Sequence, residues 1–332
     1  MSQNPRIAII GAGVAGLACA NVLRATNATI EIFDKGRGPG GRLSTRRTAT
    51  SIGDAQFDHG AQFFTARAPL FHAEVGELAV KGFTARWQVR FVSFEKGVQQ
   101  PLRHEARWVG APGMNGLVKG LSQGHVCHWG TRVDRLLRDG GSWAVLGENG
   151  DRLGHYDAVV VAIPAEQAVT LLADPAPPLA ATAATANAAP CWAAMLAFDS
   201  VVDPGFDAAK FVGHPLLGWV ARNNSKPGRT GPEAWVVHAT PEWSATHLER
   251  DAQSVAHDIQ AAFADTLCLD TAPHFCAAHR WRFAQTVSPV GTPFSLDRAH
   301  KIATCGDWHH GARIEFAWQS GTSLGHALAK AL

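Results

Sequence analysis

The 332-residue sequence predicts an α/β fold in which a parallel-sheet domain is interrupted by an inserted mixed-sheet domain. Three features point to it. An apolar, β-branched run enters a glycine cluster at Ile9-Ile10-Gly11-Ala12-Gly13-Val14-Ala15-Gly16-Leu17. A second run ends on an acid and meets more glycines, Ile32-Phe33-Asp34-Lys35-Gly36-Arg37-Gly38-Pro39-Gly40-Gly41-Arg42. Near the other end, Lys301-Ile302-Ala303-Thr304-Cys305-Gly306-Asp307 is a buried-strand pattern followed by a helix-like segment.

Ile7–Ile10 suits a strand buried on both faces. Gly11 permits a tight turn, Gly13 lets a diphosphate approach the main chain, and Gly16 lets the next helix lie close to the strand. Val14 to Leu23 is that helix, and its first N–H groups, around Ala15, face the anion with the positive dipole end. Thr29 to Phe33 forms the second strand. Asp34, beside Lys35, is placed to accept hydrogen bonds from an adenosine ribose, and Gly41 with Arg42 supplies a further phosphate clamp. The pairing of both clusters points to FAD, bound non-covalently, rather than NAD. This is a Rossmann-like FAD-binding domain with an inserted mixed-sheet substrate domain.

Farther along, Leu70–Lys81 has helical character and Thr84–Val92 has strand signals around Trp87. Asn115 is placed to cap a helix running to Leu121. Val126–Trp129, Thr131–Leu137 and Trp143–Leu146 alternate like a small antiparallel sheet. Asp157–Pro164 is a buried strand, and the alanine-rich stretch Leu179–Ala197 leads through a linker and helix into another. His247–Leu267 carries apolar residues at helical spacing, and Gly311–Leu332 closes the chain as a helix. The expected division places residues 1–65, 105–165 and 285–332 in the FAD-binding domain and 66–104 and 166–284 in the substrate domain.

Composition narrows the function. Hydrophobic residues make up 46% of the chain, and the formal charge is only +2, without the basic excess of a nucleic-acid surface. The six cysteines form no C-x-x-C, and His309 and His310 are adjacent, so no metal site is expected. The first strand begins near residue 6, and no apolar stretch reaches membrane-spanning length, which predicts a cytoplasmic protein without membrane contact. Oligomeric state is not encoded in any feature of the sequence.

The strings Phe57-Asp58-His59-Gly60-Ala61-Gln62-Phe63-Phe64, Arg107-Trp108-Val109-Gly110-Ala111-Pro112-Gly113-Met114, Trp219-Val220-Ala221-Arg222-Asn223-Asn224-Ser225-Lys226-Pro227-Gly228-Arg229, His279-Arg280-Trp281 and Cys305-Gly306-Asp307-Trp308 resemble those of the bacterial renalases. These belong to the glutathione-reductase-like, amine-oxidase-type flavoproteins, with a hydroxybenzoate-hydroxylase-like or amine-oxidase-like fold. The resemblance spans nearly the whole chain. It implies an FAD oxidase that returns isomeric 2- or 6-dihydro-NAD(P) to NAD(P)+ and passes the electrons to O2 as hydrogen peroxide. On the cofactor side it implies roles for Gly60, Ala61, Gln62, Val133 (at the adenine), Gly306, Asp307 (at a ribityl or phosphate-side hydroxyl), Arg313 and Ile314. The last two begin the closing helix, whose positive end is expected at the flavin N1–C2=O edge.

The chemistry agrees with the residue types. A dihydropyridine loses only a hydride to flavin N5, so the protein need only stack the ring and hold its carboxamide. Phe63, Asn223, His238 and Trp281 are the expected substrate-side residues. Arg222, Lys226 and Arg229 form a basic loop with a Pro-Gly turn, which reads either as a solvated surface or as a site for the phosphates of a dinucleotide substrate. Tyr156 is the single tyrosine, so a two-tyrosine amine cage is impossible. A flavin amine oxidase, a flavin-binding sensor and a nicotinamide-only dehydrogenase remain the alternatives.

Overall fold

The computed structural model describes residues 4–100 and 105–331. The chain opens with β1 (Arg6–Ile10), α1 (Val14–Leu23), β2 (Thr29–Asp34), the hairpin β3 (Arg46–Thr50) and β4 (Gly53–Phe57), and α2 (Pro69–Val80). Short strands follow: β5 (Thr84–Arg86), β6 (Phe91–Glu95), β7 (Val98–Gln100) and β8 (Trp108–Gly110). Then come α3 (Gly116–Leu121), β9 (Val126–Trp129), β10 (Val133–Asp139), β11 (Ser142–Gly147), β12 (Arg152–Tyr156) and β13 (Ala158–Val161). Helices α4 (Ala165–Leu172) and α5 (Pro177–Ala183) lead to β14 (Asn187–Phe198), β15 (Ala208–Val212), β16 (Leu217–Arg222) and β17 (Glu233–Ala239). The chain ends with α6 (Pro241–Thr246), α7 (Ala252–Leu267), β18 (Phe275–Ser288), β19 (Ser295–Asp297), β20 (Ile302–Thr304) and α8 (Ile314–Ala329).

The first sheet runs β19-β20-β13-β1-β2-β9, parallel except for β19 at its edge. Alternation in β1 sorts its residues between two cores. Ile7 and Ile9 pack with Leu17 of α1 and Leu324 of α8, while Ala8 and Ile10 pack with Trp143 and Tyr156 of the β10-β11-β12 sheet. The α1–α8 contact depends on small residues: a Cβ at Gly321 would lie 2.0 Å from the Ala15 carbonyl oxygen. The second large sheet runs β18-β14-β17-β16-β15-β6-β7. One face is sealed by α7, with Trp192, Trp235 and Phe263 fully buried between them. The other face meets the β3–β4 hairpin through Phe57, Met195 and Val236, and looks toward the nucleotide domain.

Several expectations are corrected. Val126–Trp129 does not join an antiparallel sheet with its successors; it extends the parallel sheet beside β2. Alternation alone does not distinguish an edge strand of a parallel sheet from a hairpin strand. The stretch 84–92 is two strands: β5 pairs with β8, and β6 joins the seven-stranded sheet. Helix α7 starts at Ala252, because the Asp251 carboxylate accepts from the Ser254 N–H at 2.9 Å and ends the preceding turn there. Helix α2 sends Phe71, Val75 and Leu78 into the same core as Ile7 and Leu17. Of the expected substrate-domain segment 66–104, residues 101–104 lie outside the described residues.

Candidate active site

The three glycines of the first cluster do three different things. Gly11 has φ +106°, and a Cβ there would strike the Ala162 carbonyl oxygen at 2.6 Å. A Cβ at Gly16 would sit 2.1 Å from the Gly11 oxygen, so strand and helix touch at that residue. At Gly13 a Cβ would meet nothing within 4 Å. Gly13 is also the N-cap of α1 and supplies no side-chain cap to its first N–H groups. Open space in front of uncapped donors fits a diphosphate. Asp34 orients this loop, accepting from the N–H groups of Ala12 (2.8 Å) and Gly36 (2.7 Å). A carboxylate has further lone pairs, so these bonds leave capacity for ribose hydroxyls. Lys35 donates to the Gln167 side chain at 3.2 Å. Val133 is brought alongside by the Thr131 N–H bond to the Asp34 carbonyl at 2.9 Å.

The second cluster lies beside the C-terminal part of the chain. Gly41, at φ +54°, faces open space. Arg42 forms a two-pronged pair with Asp307 at 2.9 and 2.5 Å, and Thr286 donates to the same carboxylate at 3.0 Å. The expectation of Arg42 and Asp307 meeting separate parts of a cofactor is therefore modified: opposite charges in a buried setting pair with each other. The Ala61 N–H bonds the Arg42 carbonyl at 2.9 Å, and a Cβ at Gly60 would overlap that oxygen, which locks the Gly60-Ala61-Gln62 turn onto Arg42. Gly306 donates its N–H to the Ser320 hydroxyl at 3.0 Å. Arg313 is the N-cap of α8 and Ile314 its first residue, again without a side-chain cap.

On the facing sheet, strand register sets His238 opposite Ala193 and Ala193 opposite His279, so both imidazoles share one face with Trp281. This face converges on a single backbone oxygen. Trp281 Nε1 donates to the His59 carbonyl at 3.0 Å, and His238 Nε2 lies 3.2 Å from the same oxygen. The indole, His59 and His279 rings form one cluster, with centroids 4.5 to 5.2 Å apart. Gln62 Nε2 is 3.4 Å from His238 Nε2 and donates to the Gly60 carbonyl at 2.9 Å and to the Asp58 carbonyl. Burial pushes the His238 and His59 imidazoles down to about 4, so both are neutral near pH 7.

Behind this wall lies a buried charge cluster. Asp58 receives Arg229 (2.6 and 3.1 Å) and Lys226 (3.2 Å) on one oxygen, and the Thr45 hydroxyl (2.7 Å) and Met114 N–H (2.9 Å) on the other. Burial alone would raise its carboxyl; the two cations outweigh that and hold it well below the usual carboxylate range. Lys226 also donates to Gln62 Oε1 at 3.0 Å and Asn223 Oδ1 at 3.3 Å. Burial pushes its ammonium down to about 8. Asn223 further accepts from the Asp58 N–H at 3.2 Å and donates to the Gln56 carbonyl at 2.9 Å. It acts as a bracket behind the wall, with both lone pairs of its amide oxygen engaged. Both readings of the basic loop are likewise corrected. The side chains of Lys226 and Arg229 have no solvent exposure and pair with Asp58, and Arg222 pairs with Glu233 at 2.8 and 2.9 Å.

Phe63 stands at the other end of the wall, in a box with Trp87 (6.2 Å between centroids) and Trp219 (5.5 Å); Phe91 closes it, 5.1 Å from Trp219. The box adjoins the imidazole row, because Trp219 pairs with His238 in register. Thus Phe63, His238 and Trp281 line one continuous surface and Asn223 supports it. Sequence reasoning did not single out Asp58, His59 or His279, although each stands in one of the motif strings, and that membership was the available signal. Among the described residues no group of three His, Cys, Asp or Glu side chains is placed to hold a metal ion, and no helix is long and apolar enough to cross a membrane.

Comparison with known proteins adds two family matches. Residues 9–73 match an NAD(P)-binding Rossmann-like domain, and residues 92–323 match flavin containing amine oxidoreductase. Solved structures share the fold. A provisionally named protoporphyrinogen oxidase from Exiguobacterium sp. 255-15 superimposes with TM-score 0.77 at 14% identity, covering 100% of both chains. Cyclohexylamine oxidase from Brevibacterium oxydans IH-35A gives 0.75 at 12% identity over 99% of both. Putrescine oxidase bound to putrescine gives 0.72 at 12% over 99% of both.

Proposed function

The chain belongs to the flavin-containing amine oxidoreductase family, and from that footing we propose that it is an oxidase of isomeric dihydronicotinamide nucleotides. The family makes it an FAD-dependent oxidoreductase acting on a small molecule. The dihydro-NAD(P) substrate and the non-covalent mode of FAD binding are our own reading. FAD, when bound, would supply a hydride acceptor whose electron pair, with the transferred hydrogen and one proton from solvent, reduces O2 to hydrogen peroxide. The loop at Gly13, the clamp at Gly41 and Arg42, and the uncapped start of α8 are the groups that would hold it.

One observation carries the substrate reading. The groups packed around the Gly60 turn, which is locked onto Arg42, are the neutral imidazoles of His59 and His238, the Trp281 indole and the Gln62 amide, while the single tyrosine, Tyr156, lies in the β10-β11-β12 sheet, edge-on to Phe33 at 6.0 Å. Flat neutral groups suit a planar ring that gives up hydride without losing a proton. His59 and His238 have no proton to remove from such a substrate; they and Trp281 orient it and exclude water. The second reading, oxidation of a small amine, is favoured by the family name and by the cyclohexylamine and putrescine oxidases among the similar structures.

Anaerobic mixing separates the two. Under the proposed function 2-dihydro-NAD bleaches the flavin absorbance rapidly, and primary amines and ordinary NADH do so slowly or not at all. Rapid bleaching by an amine alone would replace this reading with the second.

A further inference from the structure

We propose that Arg107 and Trp219 are substrate-recognising donors: they hold an acceptor oxygen carried on a planar ring, and Arg107 turns cationic amines away. The inference rests on the dihydronicotinamide reading for the identity of that oxygen, the ring carboxamide.

Two buried N–H groups in the aromatic box have no acceptor. Arg107 Nε and Trp219 Nε1 are both shielded from solvent and make no hydrogen bond among the described residues. An unpaired buried donor is costly, so two against the same pair of phenyl rings indicate a partner that arrives from outside. Both belong to the same box. The Arg107 guanidinium carbon lies 4.3 Å from the Phe91 centroid and 5.5 Å from that of Phe63, and Trp219 packs on both phenyl rings. A ring face attracts the cation but replaces an oxygen acceptor poorly.

The position of Arg107 is fixed by backbone bonds. Its carbonyl accepts from the Trp87 N–H at 2.9 Å, and the adjacent Trp108 exchanges two 2.8 Å bonds with Phe64. Its guanidinium has no direct carboxylate partner among the described residues: Nη1 donates to the Glu105 backbone carbonyl at 3.3 Å, and the Glu105 carboxylate, taken by Arg67 at 2.5 and 2.9 Å, attracts it only from a distance. Lys226 Nζ, 5.4 Å from the Trp87 centroid, is already paired with Asp58 and adds little to that charge. An aromatic box with the Arg107 cation at its margin repels an ammonium ion and accepts a neutral ring bearing a carbonyl. It also disfavours a cationic pyridinium, which promotes departure of an oxidised product.

The test uses the flavin-loaded protein, nicotinamide as a neutral carboxamide, and benzylamine as a cation of similar size. Binding is followed by perturbation of the flavin spectrum. Nicotinamide binds and benzylamine binds far more weakly. Arg107→Met weakens nicotinamide by about tenfold or more and narrows the gap to benzylamine, and Trp219→Phe, which keeps a ring and removes the N–H, weakens nicotinamide about threefold. Unchanged nicotinamide affinity in Trp219→Phe, or equal binding of both compounds to the unaltered protein, overturns the inference. If Arg107→Met does not fold, Trp219→Phe decides alone. Intact discrimination for nicotinamide in a protein that 2-dihydro-NAD does not bleach upholds the two donors and overturns the dihydronicotinamide reading instead.

Discussion

Lys226 Nζ and Asp58 Oδ2 meet at 3.2 Å in a place where neither side chain has any solvent exposure. Arg229 shares the same oxygen, so one carboxylate holds two cations and ties the inserted domain to the loops at Thr45 and Met114. Removing the anion leaves two buried positive charges without a partner. Asp58→Asn is therefore expected to lower the unfolding free energy by about 3–5 kcal/mol, read from urea denaturation. A loss under about 1 kcal/mol, the scale of a surface ion pair, would contradict this account of the cluster.

The same pair makes stability depend on alkaline pH. Lys226 titrates at about 8 in the folded protein against an ordinary 10.5, with burial the largest cause. Between those values the unfolded chain binds the extra proton, so stability rises with pH across that window. Below about 8 both states are protonated and the full penalty of burying the ammonium applies. The variant Lys226→Met lacks this titration. The stability of the unaltered protein relative to Lys226→Met should therefore climb from pH 8 to pH 10, and a flat difference would show that the ammonium is not the group being relieved.

On the acid side the buried imidazoles set the pH dependence of stability. His59 and His238 titrate at about 4 in the folded protein, depressed from 6.5 mainly by burial. The unfolded chain binds more protons between those values, so stability is lost as pH falls from about 6.5 toward 4. His125 and His309 are held down to about 4 in the same way, so replacing His238 by Gln removes one of several such titrations, and denaturation midpoints should then fall less steeply over that interval. An equal slope in the variant would mean that His238 does not become charged on unfolding.

The nucleotide-binding half was legible because its requirements are local. A Gly-x-Gly-x-x-Gly after an apolar run and an acid at the end of the next strand report backbone geometry directly, and Gly11, Gly16 and Asp34 stand in those roles. The substrate half was less legible, because its meaning lies in contacts between distant segments. Arg222, Lys226 and Arg229 in a Pro-Gly loop look like a solvated basic surface until Asp58 and Glu233 are brought beneath them. Arg107 offered no signal of its own, and no local pattern shows that the carboxylate of Glu105, two residues before it, is used by Arg67. Sequence reading found the strand β9, but the choice between a hairpin and the edge of the parallel sheet depends on pairing with β2, which no local pattern carries.

Gly13 and Gly16 stand three residues apart in one motif, and the structure predicts opposite failures for them. At Gly16 an added methyl would lie 2.1 Å from the Gly11 oxygen and 3.2 Å from the Ile9 side chain. Backbone cannot yield there without separating α1 from β1, so Gly16→Ala is expected to reduce soluble folded protein or lower its melting temperature sharply. At Gly13 the backbone is extended, with φ −78° and ψ 179°, and the methyl meets nothing within 4 Å. Gly13→Ala should fold with unchanged stability in the absence of cofactor and differ only in how much flavin it retains, because the methyl occupies the space a diphosphate needs. The ratio of flavin to protein absorbance after purification and the melting temperature of the stripped protein together give the answer. Full flavin retention in Gly13→Ala would show that the phosphate does not pass over this loop.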